Sequence, residues 1–139
     1  MDVQVNYLAV VLAMVSSMVV GSVWYARGVF GNTWGKLAKV DMSGSAEGVW
    51  KPIAVTAVVS LITAYVLAHV TYLSNSFFGN SFLQDALSTA FWMWLGFTAT
   101  RFITHDAFEG RPMKLTVINI SHELVTFLAM GLVIGLMGV

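Results

Sequence analysis

Cysteine is missing from all 139 residues, which excludes disulfide stapling, thiol redox chemistry and thiolate metal sites. Charge is scarce: Asp, Glu, Lys and Arg make up 10% of the chain, against about 25% in an ordinary soluble domain. The seven basic and seven acidic residues cancel, so the balance gives no reason to expect nucleic acid or any other polyanion as a partner. Gly-rich phosphate loops, a Ser-His-Asp order and paired catalytic carboxylates do not occur either, and no enzymatic activity is expected. Proline occurs only as Pro52 and Pro112, which leaves long stretches free of helix breakers.

What fills the chain is apolar: 58% of its residues are hydrophobic and the mean hydropathy is +0.78. A helix needs about 20 such residues to cross a hydrocarbon layer about 30 Å thick, at about 1.5 Å per residue. Stretches 5–25, 52–73, 82–104 and 115–137 meet that need. The first lacks the basic start and small-residue cleavage site of a signal peptide, and reads as a retained span. Arg27, Lys36, Lys39 and Lys51 lie between the first two stretches, and Arg101, Arg111 and Lys114 lie at or after the end of the third. By the positive-inside rule both connections are cytoplasmic and both termini outside. The expected fold is all-α: one domain over residues 1–139, an integral membrane bundle of four transmembrane helices.

Helix ends carry their own marks. Ser81 with Gln84 reads as a capping box, and Pro52 and Pro112 suit helix starts. Trp24, Tyr25, Phe30, Trp34 and Trp50 form an inner aromatic belt, and Tyr72, Phe77, Phe78 and Phe82 an outer one. The piece "VFGNTWGKLAKV", too short to span, reads as a short interfacial helix between the first two spans, followed by a mobile polar loop over 41–48. Small residues that let helices approach closely recur at four-residue steps: Ala9, Ala13, Ser17 and Gly21; Ser60, Ala64 and Ala68; Ala86 and Ala90; Gly131 and Gly135. The stripes suit internal packing and a homo-oligomeric interface equally.

Against this background, polar residues stand out. Thr116, Asn119, Glu123 and Thr126 line one face of the last helix beside His122, and Thr98, Arg101 and His105 recur at similar spacing on the third. A cluster of Arg101, His105, Asn119, His122 and Glu123 is expected between the inner halves of these helices. Two readings stand open: an Arg101–Glu123 ion pair that fixes helix pairing, or a titrating Glu123, since charge at membrane depth is costly to keep. "HELVT" departs from the zinc-protease pattern by placing Thr126 where the second histidine belongs, and His69 lies too far from His122 along the membrane normal to share a haem. No metal or cofactor is expected. His69 is expected beside Tyr65 or Tyr72, Asp85 at a favourable helix start, and Trp92 and Trp94 in packing or lipid contact.

The segments "NYLAVVLAMV", "WYARGVFGNTWGKL" and "FWMWLGFTATRFITHDAFEGRP", with Asn119 in the last helix, resemble the family called domain of unknown function 1761. The resemblance covers nearly the whole chain. It implies a small four-helix membrane protein of bacteria and transfers no activity. The expected role is therefore non-enzymatic, in the bacterial inner membrane, as a homo-oligomer or an accessory subunit among lipid and other membrane proteins. The alternative is a small proton- or solute-coupled transporter or channel that uses Glu123.

Overall fold

Asn6 opens α1 (Tyr7–Trp24) by accepting the Ala9 amide on its side chain at 3.1 Å, which satisfies one of the orphan donors of a helix start. The computed structural model describes residues 2–41 and 48–139; most of the expected loop over 41–48 lies outside the described residues. After α1 the chain makes one π-helical turn, Arg27–Gly31, in which the Gly31 amide donates to the Ala26 carbonyl at 3.0 Å. Gly31 is required there, because a side chain would collide with the Tyr25 carbonyl. A short helix, α2 (Asn32–Ala38), follows and ends at Lys39 in the left-handed region.

Then come α3 (Trp50–Phe78), α4 (Phe82–Met93), a second π-helical stretch (Trp94–Ala99), α5 (Thr100–Phe108) and α6 (Met113–Met137). Pro52 sits in the first turn of α3, where its missing N–H leaves no bond unmade, and Pro112 immediately precedes α6. Ser81 and Gln84 form the expected capping box at the start of α4. The described residues contain no strand, so the fold is all-α.

Three helices are long and apolar enough to cross a membrane: Tyr7–Trp24, Trp50–Phe78 and Met113–Met137. The remaining apolar stretch is helical without a break from Phe82 to Phe108, but its π-helical middle divides it into shorter pieces. Helices α1, α3, α4 and α6 pack in a ring, each against its two neighbours. Leu67, Met130, Ile134, Val10 and Phe127 fill the centre, and Ala13, Ala64 and Ala90 narrow it.

Small residues bring the backbones together. A Cβ at Gly131 would stand 2.9 Å from Ala90 Cβ and 3.0 Å from the Ala86 carbonyl oxygen, and one at Gly135 would stand 2.8 Å from Leu83 Cα. Helix α6 therefore rests on α4 at a separation only glycine permits. Ala9, Ala13 and Ser17 are buried along α1, so these stripes serve contacts within the chain.

Candidate functional site

The side-chain oxygen of Asn119, Oδ1, accepts the Trp34 indole N–H at 3.0 Å and the Tyr25 hydroxyl at 3.4 Å. One amide oxygen thus joins α6 to the end of α1 and to α2. Both partners were expected as members of an aromatic belt; their bonds to a residue far along the chain could not be read from local spacing.

One turn further along α6, His122 places Nδ1 3.2 Å from Glu123 Oε1 and Nε2 3.4 Å from the Thr126 hydroxyl. The imidazole is nearly covered, and the Glu123 side chain keeps 29% exposure. Gly21 faces the ring: a Cβ there would lie 3.5 Å from His122 Nε2, an ordinary van der Waals contact. Tyr25 packs against it with ring centres 4.9 Å apart, and Trp24 stands 6.1 Å away, its own ring tilted against Phe30 at 4.6 Å. The Trp24 indole N–H is buried without a partner among the described residues. Gly21, read from sequence as a packing position, lies against this histidine.

Arg101 and His105 turn elsewhere. They line a groove of about 320 Å³ between α5 and α6, together with Phe102 and Asn119. Among the described residues no ion pair joins Arg101 to Glu123; the carboxylate pairs with His122 instead. The reason lies in the π-helical stretch Trp94–Ala99. Its i→i+5 bonding takes up more residues per turn than an α-helix, so residues beyond it are rotated about the axis from where a 3.6-residue projection puts them. The expected five-residue cluster is therefore divided, with Asn119 bordering both halves.

In the wall of the groove, buried Asp106 accepts the Thr116 hydroxyl at 2.7 Å. Arg111 lies 3.8 Å from Asp106 and also bonds Glu109, whose hydrogen bond and charge push the guanidinium pKa up from its ordinary value. These contacts brace the turn between α5 and α6. Asp106 gave no sequence signal, because its partner becomes a neighbour only when the two helices fold back.

Two further polar groups serve the fold. Trp94 donates its indole N–H to the Ile120 carbonyl at 2.8 Å, tying the π-helical stretch to α6, while Trp92 is exposed. At the opposite end of the molecule Asp85 accepts the side-chain amides of Asn75 at 2.8 Å and Asn80 at 2.9 Å. His69 lies beside Tyr65, as expected, with Nδ1 3.3 Å from its carbonyl oxygen and the two rings tilted against each other.

No group of three His, Asp or Glu side chains stands together among the described residues in a way that could hold a metal ion. Residues 8–135 match the family described as "Protein of unknown function (DUF1761)". The chain belongs to that family. The match takes in both π-helical stretches, the Asn119 junction and the His122–Glu123 pair of this DUF1761 protein. No curated protein and no solved structure matches it.

Proposed function

We propose that this DUF1761 chain is a non-enzymatic integral membrane protein that crosses the bacterial inner membrane four times, with α2 on the inner surface and both termini outside, and works as a self-associating or accessory subunit. The observation that carries this reading is the Asn119 junction. Its bonds to Trp34 and Tyr25 commit this polar side chain of the inner half to holding α1, α2 and α6 together. In a low-dielectric setting such bonds are needed, since an unmet buried polar group costs about 1–3 kcal/mol. The run Phe82–Phe108 supplies the fourth crossing, with Trp94 returning one of its side-chain bonds to α6.

A second reading is favoured by one specific feature: Glu123 is partly exposed and is paired with a histidine, an arrangement able to take up and release a proton. Proton-coupled movement of a solute is that reading's claim. Purification in mild detergent with intact-complex mass measurement, alongside proton-flux assays in liposomes, separates the two. A defined oligomer or copurifying assembly that persists in Glu123→Gln, with no flux in either protein, supports the subunit role. A pH-gradient-driven flux abolished by Glu123→Gln would replace it with transport.

A further inference from the structure

We propose that the groove between α5 and α6 binds the zwitterionic headgroup of an aminophospholipid, its phosphate held by Arg101 and His105 and its ammonium by Glu109. This rests on the membrane reading above. The groove, about 320 Å³, falls in the range of about 300–1,000 Å³ typical of small-ligand sites. It lies at the ends of α5 and α6 that the basic residues place on the inner surface, the level of lipid phosphates.

The donors are available. Arg101 is exposed and has no ion-pair partner among the described residues, so its guanidinium, with five N–H groups in a planar fork, is open to a phosphate. His105 stands one helical turn on and lines the same groove. Phe102 supplies an apolar wall between them, suited to the glycerol end of a lipid.

Charge balance decides which headgroup. Arg101 and Arg111 are matched in the groove wall by Asp106 and Glu109, so a purely anionic headgroup would meet carboxylates as well as guanidinium. Asp106 is committed to Thr116 and Arg111. Glu109 binds Arg111 through Oε2 alone, which leaves Oε1 for an ammonium. A headgroup carrying both charges satisfies both walls, and three N–H donors on a primary ammonium bond a carboxylate in a way a trimethylated nitrogen cannot.

The full chain in mild detergent, mixed separately with palmitoyl-oleoyl phosphatidylethanolamine, phosphatidylglycerol and phosphatidylcholine, is examined by native mass spectrometry. The ethanolamine lipid should be retained best. Arg101→Gln should lower its occupancy roughly tenfold, the effect of losing one charge-assisted contact, and Glu109→Gln should narrow the preference over the choline lipid. Equal occupancy in Arg101→Gln, better retention of the glycerol lipid, or displacement of the lipid by excess inorganic phosphate would overturn the inference, the last by assigning the groove to a soluble anion. Carbonate washing of membranes separates the two levels. Release of the chain defeats the membrane reading together with the groove inference; retention without lipid preference defeats the groove inference alone.

Discussion

Gly131 carries more structural weight than any neighbouring apolar residue of its size would. Its missing Cβ is the space between α6 and α4, since an added methyl would sit 2.9 Å from Ala90 Cβ and 3.0 Å from a backbone oxygen. Backbone cannot rotate away as a side chain can, so Gly131→Ala must push the helices apart and lose dispersion contacts along the seam. A destabilisation of about 1–3 kcal/mol is expected, the usual cost of overpacking, read by reversible unfolding in detergent. Gly96→Ala is the matched control: nothing lies within 4 Å of a Cβ there, and the change should stay within about 0.5 kcal/mol. Equal cost at both positions would mean that glycine acts through backbone freedom and not through close approach. Gly21 is different again, since a Cβ there would meet the His122 imidazole at 3.5 Å, an ordinary contact distance.

At the scale of elements, the turn between α3 and α4 is held by one carboxylate. Asp85, buried in the first turn of α4, accepts amides from Asn75 at the end of α3 and Asn80 in the turn itself, and its charge faces the positive end of the helix dipole. Asp85→Ala should cost about 1–2 kcal/mol by removing two hydrogen bonds to a charged acceptor, and Asp85→Asn less, because one oxygen remains to accept. Limited proteolysis at residues 78–82 should follow the same order; cleavage unchanged in Asp85→Ala would show that the turn stands without it. This element also marks how far local sequence could lead. The Ser81–Gln84 box, the proline-marked helix starts and the apolar lengths are local patterns; the box, the prolines and three of the four expected spans appear where expected. The two π-helical stretches carry no sequence mark of their i→i+5 register: Gly31 is needed in the first, but a glycine alone does not announce a π-turn. The cost was specific, because a straight-helix projection brought Arg101 to Glu123, whereas the structure gives Arg101 a groove and Glu123 a histidine. Asn119 was legible as a site residue, but not its partners, which lie 85 and 94 residues away in the chain.

For the whole molecule, the central claim is the number of crossings. Three helices meet the length and hydropathy of a span; the fourth crossing depends on the interrupted run Phe82–Phe108. The packing ring gives that run a place, since α4 lies between α3 and α6, and the basic residues flanking it on one side only give it a direction. Asn80 and Arg111 bracket the run, so their sidedness decides the matter in a chain without native cysteine. Single Asn80→Cys, Arg111→Cys, Lys36→Cys and Val139→Cys variants in intact cells should divide cleanly under a membrane-impermeant maleimide: positions 80 and 139 labelled from outside, positions 36 and 111 labelled only after permeabilisation. External labelling of both 80 and 111 would mean that the interrupted run does not cross, and would contradict the four-span account.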